Sequence, residues 1–259
     1  MGRVNLFTSF LSLSFFSFLS AAPLFDGEIS VGYIKQSPSG WVQYKGDKVD
    51  IENDLQIEDE DSFFLKAKLK HPVPFLPNLY LMFTKMSFNG DGTVKRSYTF
   101  GNITIDINDR IITDLKLDHY DIGLFYSLPF LNTLSLGKVS AEAGLYLRII
   151  DFKARVENKT RNTVDETSST IPIPLLYLGI FITPFEKIAL NAEGKAIVYD
   201  GNYYYDLQGE VRFYPLSFGL GNAFVSAGYK YEKLKLDDID DTSADIEITQ
   251  PFISAGFSF

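Results

Sequence analysis

Ten stretches of the chain alternate apolar and polar side chains with a period of two, the repeat of a β-strand with one apolar face. The clearest is Ile188–Tyr199, where Ile188, Leu190, Ala192, Gly194, Ala196 and Val198 alternate with Asn191, Glu193, Lys195 and Tyr199. Further on, Tyr205, Leu207, Gly209, Val211 and Phe213 oppose Asp206, Gln208, Glu210 and Arg212. Ala223, Val225, Ala227, Tyr229 and Tyr231 likewise oppose Ser226, Gly228, Lys230 and Glu232. Earlier in the chain, Phe63, Leu65, Ala67 and Leu69 oppose Lys66, Lys68 and Lys70. Ala141, Ala143, Leu145, Leu147 and Ile149 oppose Glu142, Gly144, Tyr146 and Arg148. Less regular strands are expected at 25–36, 79–88, 111–128 and 170–183. The last is the C-terminal stretch, where Pro251, Ile253, Ala255, Phe257 and Phe259 share one parity. Each stretch covers roughly the 9–11 residues that a tilted membrane strand needs.

Charge decides which way the faces point. An Arg or Lys turned to lipid at the bilayer midplane costs about 2–4 kcal/mol, so the charged faces look inward. Lys66, Lys68, Lys70, Glu142, Arg148, Glu193, Lys195, Asp206, Glu210, Arg212, Lys230 and Glu232 are thus expected to line a lumen. The expected fold is an all-β, transmembrane, antiparallel up-and-down barrel of ten strands, with twelve or eight as alternatives. At Ile150, Phe152, Ala154 and Val156 the apolar register jumps from odd to even positions, and it does so again at Leu234 and Leu236. Such a change of parity marks a bulge or the point where a strand leaves the bilayer.

The connections alternate in kind. Tight, apolar-flanked turns are expected at 71–78, 129–133, 184–187 and 215–222, and mostly longer polar loops at 45–61, 89–110, 158–169, 200–203 and 237–244. Asn89-Gly-Asp-Gly92 and Gly101-Asn102 read as turn signals inside the 89–110 loop.

Arg3, an apolar Ser-rich run from Leu6 to Leu19 and the small residues Ser20-Ala21-Ala22 describe a secretory signal peptide over 1–22. A single barrel domain follows over 23–259. With no Cys, the chain has no lipoprotein anchor, disulfide or thiolate site. The 23 Phe and 15 Tyr supply what interfacial aromatic girdles require. The net charge of −9 is concentrated in 45–61 and 237–247, and no basic footprint for nucleic acid exists.

The tail ending on Phe257 and Phe259 resembles the C-terminal strand of bacterial outer-membrane barrels, where a terminal aromatic is read by the assembly machinery. A wider resemblance rests on four strings. Asp54-Leu-Gln-Ile-Glu-Asp-Glu-Asp61 and His71-Pro-Val-Pro-Phe-Leu-Pro-Asn78 carry it first, followed by Asp114-Leu-Lys-Leu-Asp-His-Tyr-Asp121 and Leu234-Lys-Leu-Asp-Asp-Ile-Asp-Asp241. Together with Tyr199-Asp-Gly-Asn202 they resemble a family of Gram-negative outer-membrane β-barrel proteins to which no activity is assigned. That resemblance implies fold and location, with outer-membrane lipid, lipopolysaccharide and the assembly machinery as partners. It implies no site residue.

Candidate chemistry is sparse. His71 opens a proline-rich turn. His119 and Asp121 share a parity on their strand, the start of an acid/base pair, but no nucleophile can be matched to them from sequence. Asp237, Asp238, Asp240 and Asp241 are hard oxygen donors suited to divalent cations, yet they match a calcium loop poorly. No cofactor is implied. The leading function is a non-enzymatic membrane protein, structural or engaging a ligand, with acidic outer loops and a mostly packed lumen. A narrow porin-like channel and a barrel-wall hydrolase of the deacylase or protease type, using His119, are the alternatives.

Overall fold

The computed structural model describes residues 25–73, 75–239 and 241–259; the expected signal segment 1–22 and the candidate Asp240 lie outside the described residues. The elements are β1 (Asp26–Tyr44), β2 (Lys48–Asp50), β3 (Glu60–Lys70), β4 (Asn78–Thr84), β5 (Ser87–Thr93), β6 (Tyr98–Phe100) and β7 (Ile103–Ile105). They continue with β8 (Arg110–Ser127), the short helix α1 (Pro129–Leu134), β9 (Val139–Asn158), β10 (Thr163–Phe185), β11 (Ile188–Tyr199), β12 (Asn202–Phe218), β13 (Gly221–Ile239) and β14 (Thr242–Ser258).

β4 and β5 pair with the same neighbour, β8: Thr84 lies opposite His119, and Ser87 opposite Lys116. They form one stave interrupted at Lys85–Met86, where the Asp118 carboxylate accepts from the Met86 amide at 2.8 Å. The staves are therefore β1, β3, β4 with β5, and β8 to β14, each antiparallel to the next. β14 closes on β1 from Ser258 opposite Glu28 to Thr242 opposite Tyr44. Closure gives ten staves among the described residues and joins the first to the last, as hydrocarbon demands of a spanning sheet. The twelve-strand count fails because β5 prolongs β4, while β6 and β7 form a separate hairpin.

The structure corrects several boundaries. Asn89–Gly92 is not a turn but part of β5, whereas Gly101-Asn102 does turn the β6–β7 hairpin. The expected loops 158–169 and 237–244 are mostly strand, since β10 begins at Thr163 and β14 at Thr242. The turn at 129–133 is helical, and β10 and β12 run through Pro184 and Pro215 with register shifts at Ile182/Phe185 and Phe213/Leu216.

Many staves are longer than a bilayer requires, and the extra length explains the parity changes. β9 keeps an unshifted register with β8 and β10, so no bulge accompanies the change at Ile150. Instead the environment inverts. Lower on β9, Leu145 and Leu147 are exposed while Tyr146 and Arg148 are buried. Higher up, Asp151 is exposed and Val156 is buried on the inward parity. The outer wall thus passes from apolar to charged along the staves, and there it carries ion pairs such as Lys116–Asp151 and Lys153–Glu166. Below that level it exposes Val31, Leu65, Leu81, Ile122, Leu145, Leu178, Val211 and Ile253. A polar lumen inside an apolar outer belt is the polarity of a membrane barrel.

Aromatic rings mark both borders of the belt. Phe63, Phe83 and Tyr120 follow one another at the upper border with centroids 5.8 and 4.9 Å apart. Phe218, Phe257 and Phe259 form a run at the lower one. Inside, Tyr146 covers Gly123, Phe224 covers Gly256 and Phe252 covers Gly228, so that a Cβ at each glycine would strike the ring. Large rings laid over cross-strand glycines fill the lumen and pin the register.

A charge-balanced lumen beneath an apolar cap as the candidate functional site

Two ion-pair clusters occupy the lumen, and each is neutral by count. The lower one joins Lys66, Lys68, Lys70 and Arg212 with Glu28, Glu142, Glu193 and Glu210. Lys68 Nζ donates to Glu193 at 2.7 Å, to Glu142 at 3.0 Å and to the Tyr177 hydroxyl at 3.0 Å. The upper cluster joins Arg148, Lys195 and Lys230 with Asp121, Asp206 and Glu232. Arg148 is fully buried at its centre. Its Nε and Nη2 grip both Asp121 oxygens at 2.6 and 2.7 Å, Nη2 also donates to Asp206 at 2.6 Å, and Nη1 donates to Glu232 at 3.1 Å and to Tyr204. A planar five-donor fork suits several carboxylates at once in a way that an ammonium does not.

Tyrosine rings separate the clusters. Tyr146 stacks on Tyr177 at 4.5 Å and lies 4.8 Å from Tyr80. Lys195 and Lys68 stand over the Tyr80 ring at 5.0 and 5.4 Å. Buried charge is tolerated only when paired and hydrogen-bonded, and alternating signs on facing staves supply that pairing across a narrow bore. Of the lumen-facing charged residues named from sequence, Lys70 alone keeps a partly exposed side chain, at the end near the start of β1 and Phe259.

His119 and Asp121 stand on the same wall without meeting. Both Asp121 oxygens serve Arg148, and one also accepts from Lys195 at 2.6 Å. The His119 Nδ1 lies 3.1 Å from the Leu117 carbonyl, and Nε2 has no hydrogen-bond partner among the described residues. An acid/base pair requires the carboxylate to orient the imidazole, and this carboxylate is committed elsewhere. Gln36, Thr84 and Gln250 are also buried in the lumen, with Gln250 Nε2 donating to Glu232 at 2.9 Å.

Towards the end remote from Phe259, the contents turn apolar. Two lobes, 45–59 and 94–109, fold over the mouth. Val49, Ile51, Leu55 and Ile57 from the first meet Val94, Tyr98, Ile103 and Ile105 from the second, and both rest on Phe88, Ile111, Val156 and Ile248 of the staves. Polar ties fasten the lobes. Arg96 Nε donates to Asp54 at 2.9 Å, the Tyr98 hydroxyl donates to the Asp54 carbonyl at 2.8 Å, and the Thr99 amide donates to Asp47 at 2.8 Å. Asp109 accepts from the Asp106 amide at 2.9 Å and from Asn158 Nδ2 at 2.7 Å, and lies 3.0 Å from Arg161 Nε. The chain's single Trp, Trp41, lies beside the first lobe with Lys48 Nζ 3.6 Å above its ring.

The ties to Asp109 make the cap acid-sensitive. The Asp106 amide, then Asn158 and Arg161, hold the Asp109 carboxyl below its ordinary value of 3.8. A depressed carboxylate contributes stability above its unfolded pKa and loses it as pH falls through the folded one. Asp91, bonded by Arg110, acts in the same direction. We therefore expect Trp41 fluorescence to be flat from about pH 7 to 5 and to change below about pH 4, while the barrel stays closed.

The remaining candidates occupy turns. His71 Nδ1 accepts from the Val73 amide at 3.2 Å, and Nε2 lies 3.0 Å from the Pro77 carbonyl. Asp237 and Asp238 flank the β13–β14 turn, where the Asp237 amide donates to Asn202 and the Asp238 amide to Ser243. Among the described residues no three acidic or imidazole side chains gather as a metal site, Asp241 included. Phe259 pairs with Gly27 through reciprocal backbone bonds of 2.8 and 2.9 Å, which seats the C-terminus beside the start of β1.

Fold and site together define a membrane-spanning antiparallel β-barrel whose lumenal charges are paired. No family model and no curated protein matches the chain. Among solved structures, it is similar to the outer-membrane protease OmpT from Escherichia coli, at 12% identity over 92% of this chain and 97% of that one, with a TM-score of 0.45. It is similar to the translocator domain of the autotransporter NalP from Neisseria meningitidis, at 11% identity over 97% of each chain and a TM-score of 0.48. A third is Ail, the attachment invasion locus protein of Yersinia pestis, at 14% identity over 90% of this chain and 98% of that one, with a TM-score of 0.36.

Proposed function

We propose that the chain is a sealed bacterial outer-membrane barrel that works through its capped, outward-facing end and does not conduct solutes. The observation that carries this reading is the pairing of the lumenal charges in two neutral clusters with an apolar core lying above them. A passage for solutes would need both a gap among the paired charges and a mouth without an apolar plug. On this reading lipid and lipopolysaccharide surround the exposed belt, divalent ions bridge lipopolysaccharide to the acidic outer turns, and the assembly machinery reads Phe257 and Phe259. Catalysis at His119 is disfavoured, because Asp121 is held by Arg148 and Lys195.

The orientation is open to a direct test, because the chain has no Cys. A single Cys at Asn102, on the cap hairpin, is expected to react with a membrane-impermeant maleimide on intact cells. A single Cys at Gly219, on the turn beside the chain terminus, is expected to react only after the outer membrane is permeabilised. The reverse pattern, or labelling of both in the soluble fraction, contradicts the proposal.

A further inference from the structure

Above Leu176 the barrel wall is no longer continuous. β11 pairs with β10 from Ile188–Phe185 up to Ala196–Leu176, ends at Tyr199 and turns back into β12. Among the described residues, no strand pairs with β10 on that side over residues 163–175. β9 holds its other side in unbroken register from Leu147–Pro174 to Asn158–Thr163. Nearly every residue from Thr163 to Pro172 is exposed, with only Asp165 half-buried against the cap turn at Asn102.

Two prolines show which backbone groups face the gap. Proline has no N–H, so inside a sheet it sits where that group would point away from the ladder. Pro172 and Pro174 stand opposite Ile149 and Leu147 of β9, so their nitrogens face the open side. In an antiparallel ladder each residue turns its N–H and C=O to the same side, with a period of two. Val164, Glu166, Ser168 and Thr170 therefore present donors and acceptors to the gap. Proteins usually blunt such an edge with Lys, Pro or a covering segment. Here the prolines guard only the lower end.

The far side of the gap is acidic. Asp200 lies at the β11–β12 turn and Asp237, Asp238 and Asp241 at the β13–β14 turn, and the Asp237–Asn202 bond of 2.7 Å ties the two turns together. We infer that the upper edge of β10 is a strand-addition site for an extended basic segment of a partner protein. The four outward residues supply the backbone ladder, and the acidic turns receive the partner's Lys or Arg side chains. A second copy in the same membrane fits less well, because its β10 would run parallel and bring Glu166 towards Glu166. The inference rests on the outward orientation proposed above and needs nothing from the state of the lumen.

The test uses the refolded full chain in detergent and a fluorescent peptide of about eight residues alternating Lys and Thr, close to the length of one strand. Binding is expected to protect the amides of Glu166, Ser168 and Thr170 from exchange, and to weaken with salt and with Asp237→Asn combined with Asp238→Asn. The same peptide N-methylated at alternate backbone nitrogens is expected to bind at least about tenfold more weakly, since it loses ladder donors. Ser168→Pro removes an outward donor without touching the β9 ladder. It should weaken the parent peptide similarly while leaving the heat-dependent gel mobility of the barrel unchanged. Unprotected edge amides, equal binding of the methylated peptide, or protection without peptide from self-association would each overturn the proposal. If the peptide fails on a barrel that still labels from outside at Asn102, the strand-addition site is wrong and the orientation stands.

Discussion

Arg148→Met is expected to destabilise the barrel by about 3–5 kcal/mol, the usual cost of stranding buried charges by removing their partner. Arg148 has no exposed surface and serves Asp121, Asp206, Glu232 and Tyr204 together. Methionine fills much of the volume, so the loss is electrostatic. It leaves three carboxylates facing Lys195 and Lys230 alone. Arg148→Lys should recover little, because one ammonium cannot reach both Asp121 oxygens while holding Asp206. Adding Asp206→Asn to Arg148→Met restores neutrality and should recover a large part of the loss. Urea unfolding in lipid vesicles, followed by the gel mobility of folded barrel, measures all four proteins. An Arg148→Met barrel within about 1 kcal/mol of the parent would show that the upper cluster does not hold the staves together.

Ile105→Ala should release the cap and spare the barrel. Ile105 is fully buried on the small β6–β7 hairpin, among side chains contributed by both lobes. Truncating such a residue costs about 2–5 kcal/mol, from lost transfer energy and the cavity left behind. The loss falls on the lobes because, among the described residues, β6 and β7 form a ladder only with each other, apart from the barrel sheet. Trp41 fluorescence should then change at a much lower urea concentration than the gel mobility, splitting one transition into two. A single unsplit transition would mean that cap and barrel unfold as one unit.

The fold was legible to an unusual depth because lipid and lumen impose opposite polarities on alternate residues. That constraint located all ten staves, including the irregular ones at 79–88 and 111–128. It lapsed above the membrane, where the expected loops 158–169 and 237–244 turned out to be mostly strand. There the outer wall meets water and the interior is apolar, so the parity change at Phe152 and Val156 marks where β9 leaves the bilayer, and the backbone runs straight through. At Asn89–Gly92 the cause is similar: glycines that signal a turn in isolation sit in β5, where Gln56 of the first lobe packs against Gly90 and Gly92.

The site was legible only as composition. Parity puts Lys68, Arg148 and Glu193 on charged faces, but local alternation carries no information about partners more than 70 residues away, such as Lys68 and Glu142. The same holds for His119 and Asp121. Their spacing suggested a pair, and the arrival of Arg148 from the neighbouring stave dissolved it. The cap core was not read from sequence at all. Its residues sit in short segments within a polar context, and their burial depends on two lobes meeting over the mouth.

The sealed bore is tested most directly by planar-bilayer recording of the refolded protein. A sealed bore gives a flat current trace at moderate voltage, for the parent chain and for Ile105→Ala alike, since the ion-pair clusters remain when the cap is loosened. Reproducible unit conductance from the parent protein, present in every preparation and absent from empty bilayers, would contradict it.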